Sequence, residues 1–236
     1  MSDAPLDPAL TGALLGLAAH DLRNPLSALR SNLGFIEGVI AQDDDDLREA
    51  LSDAFVSCDS LLRIIDNLDW LGRNLRGDLG SLGSQPVLGM VRDAIDQNMA
   101  LAKSHESSLQ LDEGTADEST WVRTERLALT AAVSNLVRNG IQHGGRGPVR
   151  VRVDASDGVC TISVRDPGEP VPADVWEKAI SAEGQLLAKK QSGSRYGYGF
   201  GLFAASAAAR AAGARLSNAA DEAGGSVMLL QLERDS

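Results

Sequence analysis

The chain has 236 residues, with 22 Lys and Arg against 33 Asp and Glu, which gives a formal net charge of −11. This length suits one large domain or two small ones, and the acidic surplus argues against a general nucleic-acid-binding protein, because phosphate contact requires basic residues. Cys58 and Cys160 are too few and too far apart for a disulfide scaffold or a zinc knuckle. The sequence has no apolar run of about 18 residues and no basic signal-peptide region. We therefore expect a cytoplasmic protein without membrane insertion.

Residues 1–78 are predicted to form an all-α helical hairpin. Apolar residues recur there in alternating steps of three and four, the rhythm of helices that pack in bundles. Four aspartates, Asp43–Asp46, interrupt the rhythm, and because Asp favours helix starts the second helix should begin near Asp46. A lone hairpin exposes half of each stripe, so we predict a homodimer with a four-helix bundle. The stripe comprises Leu15, Ala19, Leu22, Leu26, Leu29, Leu33, Ile36, Ile40, Leu47, Leu51, Ala54, Cys58, Leu61, Ile65 and Leu68.

Residues 79–236 have the patterning of an α+β domain. Glycine, serine and asparagine cluster between Gly72 and Gly83, which predicts a linker ahead of this domain. Helices separated from alternating strands favour a two-layer sandwich, one sheet with helices on one face. The predicted elements are a helix over 87–101, a strand over 108–112, a helix from N-cap Thr124 to His143, a hairpin of strands 149–153 and 159–164 with its turn at 156–158, a loop over 184–199, a helix over 200–212, and strands over 215–217 and 226–233.

A histidine with polar neighbours lies on the first predicted helix. His20 follows the apolar seam residue Ala19, so it should lie on the flank of the hairpin, within reach of solvent. Asn24 shares its helix face one turn along. Together with Asp21, these residues could supply a nucleophile, a base and an amide that positions water. An exposed helix histidine without a chemical role is the alternative interpretation.

A second group of polar residues lies on the helix that ends near residue 143. Asn135, Asn139 and His143 are spaced by four residues and therefore line one face of that helix. Asparagine oxygens are hard ligands of the kind that Mg²⁺ accepts together with phosphate oxygens and water. The alternative is a solvated polar face.

Two glycine-containing motifs are further candidates for a functional site. Asp166 ends a predicted strand and precedes Pro167-Gly168, where a carboxylate can accept a hydrogen bond from an exocyclic amine while glycine lets a flat ring approach. Residues 197–202, Gly-Tyr-Gly-Phe-Gly-Leu, lead into a helix and can offer backbone N–H groups to phosphates. An ordinary turn and an ordinary loop are the alternatives.

The order of these four motifs resembles that of sensor histidine kinases of two-component systems, over roughly residues 10–234. His20-Asp-Leu-Arg-Asn-Pro-Leu is similar to the H box of that family, and Asn135 to His143 is similar to its N box. Asp166-Pro-Gly168 is similar to the G1 box, and Gly197 to Leu202 is similar to the G2 box. The resemblance implies a HisKA-type dimerisation and phosphotransfer hairpin over 1–78 and a Bergerat-type ATP-binding sandwich over 79–236.

The resemblance also implies an activity. The protein would be an ATP-dependent histidine kinase that phosphorylates His20 and passes the phosphoryl group to an aspartate in the receiver domain of a response regulator. Asp21 would activate the imidazole. Asn24 would position water for dephosphorylating the partner, a second activity of many members.

The implied cofactors are ATP and Mg²⁺. Asn135 and Asn139 would hold the metal between the phosphates, and His143 would lie near the phosphates or the ribose. Asp166 would bind the adenine amine above Gly168. The implied ATP-binding residues are Asn135, Asn139, His143, Asp166, Gly168, Gly197, Gly199, Gly201 and Leu202.

Four residues depart from the pattern of the family. Pro170 replaces the second glycine of G1, and Gln142 stands where many members have a basic residue. Trp176 lies where paired phenylalanines are usual. Gly140 replaces the common alanine, at about 1 kcal/mol of helix propensity. We expect weaker ATP binding, with no motif lost.

These departures keep a different class of function open. A phosphotransfer scaffold or pseudokinase would bind response regulators without efficient ATP use. A serine kinase of the same ATPase superfamily, acting on an anti-sigma partner, is a third reading, but it gives His20 and Asn24 no purpose. Because the helical stripe starts so early in the chain, we expect the input to come from a separate sensor protein or domain, or the chain to be the core of a longer protein.

Overall fold

The computed structural model of the protein describes residues 8–39, 45–145, 147–181, 200–221 and 224–235. The chain divides into two compact units, residues 1–78 and residues 79–236. Within the described ranges, no helix combines the length and the hydrophobicity that crossing a membrane requires.

The first unit is a helical hairpin, as predicted. Helix α1 spans Pro8–Val39 and helix α2 spans Asp45–Arg76, so the second helix begins one residue before the predicted start. Two ion pairs join the helices along one flank, Arg23 with Asp66 at 3.0 Å and Arg30 with Asp59. The core between the helices consists of Ala19, Leu26, Cys58 and Ile65, with Leu33, Leu62 and Leu68 packed against it.

Only part of the apolar stripe is buried between the two helices of this hairpin. Five of its large side chains remain 41–51% exposed, although they follow the same heptad rhythm as the buried ones. Since apolar area in water is unfavourable by about 25 cal/mol per Å², this surface favours association. The exposed members are Leu22, Leu29, Ile36, Leu47 and Leu61, and we call them the outer stripe.

The two helices touch backbone to backbone where α1 begins and α2 ends. A methyl group at Gly72 would lie 2.8 Å from the Gly12 carbonyl oxygen, so neither position has room for a side chain. Arg76 closes this end by donating from Nη1 to the Gly12 carbonyl oxygen at 2.8 Å. Helix α2 ends at Arg76, and the next residue is Gly77, whose φ of +72° favours glycine. The linker predicted from Gly72 therefore starts too early, because residues 72–76 are helical and packed.

The described residues of the second unit form a sheet of seven strands. The strand order is β1-β3-β7-β5-β4-β2, with β6 paired to β7 beside β3. Strands β2 and β4 are parallel and every other pair is antiparallel. Strand β7 pairs with β5 along one edge and with both β6 and β3 along the other. The strands are β1 (Gly83–Pro86), β2 (Ser108–Asp112), β3 (Trp121–Thr124), β4 (Pro148–Ser156), β5 (Val159–Asp166), β6 (Arg215–Ala220) and β7 (Ser226–Asp235).

Helices cover one face of this sheet, which confirms the predicted α+β sandwich. Alternate residues of β4 and β5 are buried beneath them, including Val151 and Ile162. The central helix α5 packs against α3, α7, β4 and β5. The helices are α3 (Val87–Asp96), α4 (Met99–Ser104), α5 (Arg126–His143), α6 (Ala173–Ala179) and α7 (Phe200–Ala211).

Local predictions in this unit were wrong at two points. The helix expected over 87–101 is two helices, α3 and α4, separated at Gln97 and Asn98. The N-cap of α5 is Glu125, which accepts a hydrogen bond from the Ala128 N–H at 2.6 Å, whereas Thr124 donates to the Ala212 carbonyl oxygen. The predicted β4–β5 turn is confirmed, with Asp157 and Gly158 both at positive φ. Strands β1 and β3 and helix α6 were not predicted.

Candidate functional site

The flank of the hairpin carries an exposed imidazole beside a carboxylate. The side chains of His20 and Asp21 are each 68% exposed, and His20 Nδ1 lies 3.2 Å from Asp21 Oδ1. An ionised carboxylate only accepts hydrogen bonds, so this contact places the imidazole proton on Nδ1 and leaves the lone pair on Nε2. Asn24 is exposed one turn further along α1. The arrangement supplies an accessible nitrogen nucleophile with an oriented ring.

In the second unit, the polar face of α5 presents two asparagines. Asn135 donates from Nδ2 to the Ala131 carbonyl oxygen at 3.0 Å, which leaves its Oδ1 as the atom available to a ligand. Asn139 Nδ2 is buried and has no hydrogen-bond partner among the described residues. His143 is exposed in the last turn of the same helix. A buried amide without a partner is unfavourable and is a feature expected of a binding site.

Helix α7 begins directly against Asn139. A methyl group at Gly201 would lie 2.7 Å from Asn139 Oδ1, so only glycine lets the two helices meet at this point. Leu202 is partly buried in the next position. The other two glycines of this motif, Gly197 and Gly199, lie outside the described residues. The predicted helix over 200–212 is confirmed as α7.

A carboxylate lies in a half-buried position at the end of β5. Asp166 Oδ1 accepts a hydrogen bond from the Gly168 N–H at 2.9 Å, and the buried Ser226 hydroxyl also bonds to this carboxylate. Burial raises the pKa of Asp166 above its ordinary value, and these two hydrogen bonds oppose that rise. The effect of burial on the pKa is therefore larger than that of the two hydrogen bonds, and the ionised carboxylate is only partly solvated.

Glycines surround Asp166 closely. A methyl group at Gly144 would lie 2.7 Å from Asp166 Cβ, and one at Gly168 would lie 2.8 Å from Asp166 Oδ1 and 2.9 Å from the His143 carbonyl oxygen. Gly140 is tight as well, since a methyl group there would lie 3.1 Å from a Val149 methyl carbon. This crowding gives a reason for glycine at position 140, where the family commonly has alanine.

These contacts bring several of the predicted residues into one site. Asn139 and Gly201 touch, and Gly168 lies against the end of α5 that carries His143. His20, Asp21 and Asn24 belong to the other unit. The role of Ser226 was missed by sequence reasoning. Its signal was available, because Ser226 begins the last strand directly after two glycines and pairs in register with Asp166.

A metal at this site would rest on amide oxygens. The described part of the chain has no group of three or more His, Cys, Asp or Glu residues able to hold a metal ion. Asn135 and Asn139 instead offer two hard oxygens one helical turn apart, and Asn139 also has an unpartnered amide nitrogen. This donor set fits Mg²⁺ that is also bound by phosphate oxygens and water, as Mg²⁺ prefers.

Two family models match the two units. Residues 12–74 match the His Kinase A (phospho-acceptor) domain. Residues 124–236 match the histidine kinase-, DNA gyrase B- and HSP90-like ATPase. The chain belongs to the sensor histidine kinases of two-component systems. His20 lies within the first matched range and Asp166 within the second, whereas residues 79–123, which include β1 and β2, lie outside both.

Curated relatives of the chain come from several organisms. The methanogenesis regulatory histidine kinase FilI of Methanothrix harundinacea is 30% identical over 174 residues, covering 69% of this chain and 18% of FilI. The sensor-type histidine kinase PrrB of Mycobacterium leprae is 28% identical, covering 93% of this chain and 47% of PrrB. AfsQ2 of Streptomyces coelicolor, a signal transduction histidine-protein kinase, is 29% identical, covering 92% of this chain and 41% of AfsQ2. The chain spans less than half the length of each of these relatives.

Solved structures share the fold. Full-length ShkA in complex with AMPPNP has a TM-score of 0.60 at 18% identity, covering 96% of this chain and 47% of ShkA. The catalytic domain of histidine kinase ThkA has a TM-score of 0.53 at 17% identity, covering 65% of this chain and 97% of that domain. At these identities the likeness shows the fold of the chain alone.

Proposed function

We propose that this chain is an ATP-dependent protein histidine kinase that phosphorylates His20 and transfers the phosphoryl group to an aspartate of a response regulator. The observation that carries the proposal is the exposed His20 imidazole, whose Nδ1 lies 3.2 Å from Asp21 Oδ1. In this proposal residues 1–78 are the dimerisation and phosphotransfer domain. Residues 79–236 are the catalytic and ATP-binding domain.

Phosphorylation of His20 is an in-line displacement. The Nε2 lone pair forms a bond to the γ-phosphorus while the bond between that phosphorus and the bridging oxygen breaks, and ADP leaves with the electron pair. Asp21 stabilises the positive charge that develops on the ring through the Nδ1 proton. In the second step, a carboxylate oxygen of the response regulator attacks the same phosphorus, and the N–P electron pair returns to His20.

Nucleotide binding falls to the second unit. Asp166 accepts a hydrogen bond from the adenine amine, and Gly168, which packs closely against Asp166, forms the floor beneath the base. Asn135 and Asn139 would hold Mg²⁺, which when bound would neutralise part of the phosphate charge. The start of α7 at Gly201 and Leu202, with Gly197 and Gly199 before it and His143 nearby, binds the phosphates and ribose.

Asn24 supports a second activity, dephosphorylation of the response regulator. It is exposed on the same face of α1 as His20 and one turn away, so its amide can orient a water molecule beside a docked phosphoryl group. One relative, MprB of Mycobacterium bovis, is named a kinase/phosphatase. We therefore propose that Asn24 serves phosphatase activity rather than autophosphorylation, in a cytoplasmic homodimer that receives its input from a sensor.

Labelled ATP tests the kinase proposal directly. Wild-type protein with Mg²⁺ should acquire a label that is stable in base and labile in acid, as expected of a phosphoramidate. His20→Ala should abolish it, because no other residue supplies the nucleophile. The matched control is His105→Ala, which removes a histidine whose ring contacts the Leu101 carbonyl oxygen and Ser104 at the end of α4. This variant should keep the label.

The outcomes separate the two classes of function. Label on wild type that survives in His20→Ala would contradict the assignment of His20. If wild type acquires no label, the kinase proposal is wrong, and binding of a response regulator by the unlabelled protein would then favour the scaffold alternative.

A further inference from the structure

Asn98 is a buried polar residue at the point where a predicted helix breaks. It lies between α3 and α4 with a φ of −109° and a ψ of 0°, outside the helical region, and none of its surface is exposed. A fully buried asparagine is unfavourable unless its polar atoms are paired. The partners of its side chain therefore have to account for its burial.

Every polar group of the Asn98 side chain is paired. The amide nitrogen donates to the Ala94 carbonyl oxygen at 2.7 Å and to Ser134 Oγ at 2.8 Å. The amide oxygen accepts from Arg138 Nε at 3.1 Å. One bond therefore reaches back to α3, and two reach across to α5.

The two partners on α5 directly precede the two asparagines of the candidate site. Ser134 and Arg138 are four residues apart and lie on one face of the helix. Asn135 and Asn139 follow them by one residue each, which is about 100° of rotation around the helix axis. Contacts at two levels of one face fix both the rotation and the position of α5 along its axis.

We infer that Asn98 is a positioning residue for the phosphate end of the nucleotide site, an inference that rests on the proposed function. By holding Ser134 and Arg138, it sets the rotation of α5 at which Asn135 and Asn139 present their amide oxygens together. It touches neither nucleotide nor metal and acts only through α5.

The adenine end of the site is held independently. Asp166 is fixed by the Gly168 N–H and the Ser226 hydroxyl, and neither group contacts Asn98. Loss of the Asn98 bonds should therefore weaken the metal-dependent part of nucleotide binding and spare the part that depends on adenine. A residue needed only for folding would lower the fraction of active protein and leave the affinity of the folded fraction unchanged.

The experiment compares ADP affinity with Mg²⁺ and with EDTA, by calorimetry, in the 236-residue wild-type chain and in its Asn98→Ala variant. We expect Asn98→Ala to weaken binding about 10-fold with Mg²⁺, in line with residues that orient metal ligands, and to change it less than twofold in EDTA. Gln97→Ala is the matched control, since its exposed neighbouring amide should be replaceable without effect in either buffer. Thermal unfolding of each variant gives its folded fraction.

Ser134→Ala keeps the test decisive if Asn98→Ala does not fold. Ser134→Ala removes one hydrogen bond of the Asn98 side chain. It should lower ADP affinity by a smaller factor, and only when Mg²⁺ is present. Equal losses with and without Mg²⁺, or no loss in either variant, would overturn the role of Asn98. Wild-type protein that binds no ADP in either buffer would instead overturn the proposed function, and this inference with it.

Discussion

At the scale of single residues, the buried carboxylate of Asp166 lowers the stability of the folded protein, while the proposed function gives it a role in binding ATP. Its pKa is raised because burial disfavours the carboxylate, so the folded protein at pH 7 contains a charge that it would be more stable without. We predict that Asp166→Asn raises the melting temperature at pH 7 and weakens ATP binding by roughly 10- to 100-fold, the value of a hydrogen bond to a charged group. Calorimetry measures both quantities.

The raised pKa of Asp166 also sets how the stability gain of Asp166→Asn depends on pH. Below the ordinary value of 3.8 the carboxyl is protonated in the folded and the unfolded chain, so the stability gain of Asp166→Asn should vanish there. The gain should grow as the pH rises through the raised pKa of the folded state. The control is Asp157→Asn, which removes the same charge from an exposed turn and should leave ATP binding unchanged. A melting temperature for Asp166→Asn that falls at pH 7 would contradict this account.

At the scale of elements, the hairpin depends on contact between two glycines. We predict that Gly72→Ala destabilises the hairpin by about 1–3 kcal/mol, as overpacking does, despite the roughly 1 kcal/mol by which alanine favours a helix. The added methyl group would lie 2.8 Å from the Gly12 carbonyl oxygen and force the helices apart. Hydrogen exchange of the α1 amides should become faster.

Gly34→Ala is the control for this prediction. Position 34 lies in α1 with no atom near enough to meet an added methyl group, so alanine there should slow exchange by helix propensity alone. If Gly72→Ala slows exchange as Gly34→Ala does, close approach of the helices is not what glycine provides at position 72.

Elements whose signal is local could be predicted from the sequence, and those set by distant contacts could not. The hairpin of α1 and α2 follows from the spacing of Leu and Ile, and the β4–β5 turn follows from Asp157-Gly158. The break at Asn98 is stabilised by Ser134 and Arg138, about 40 residues away. In the same way, Gly140 reads as a weak helix residue until Val149 and Asp166 are seen packed against it.

At the scale of the whole molecule, the outer stripe predicts a dimer. Replacing Leu22 and Leu29 together by Glu should convert a dimer into a monomer, because each change puts a charge where apolar area would be buried in both copies. We expect the dissociation constant to rise by roughly 100-fold or more, as about 3 kcal/mol implies. Sedimentation velocity over a range of protein concentrations measures it.

Leu17→Glu is the matched control, since Leu17 is 59% exposed on the same helix but lies off the stripe. It should leave the dimer intact. Wild-type protein that sediments as a monomer, or a double variant that remains a dimer, would show that the outer stripe is not the interface.

The central position of β7 has a consequence for how the protein is made. It comes last of the seven strands along the chain, yet β5, β6 and β3 all pair with it. While a ribosome is still translating, the β1–β3 pair and the sheet of β2, β4 and β5 therefore have no common partner until residues 226–235 emerge. Their open edges and apolar faces are then the surfaces that chaperones bind and that drive aggregation. Nascent chains stalled before Ser226 should accordingly remain sensitive to protease.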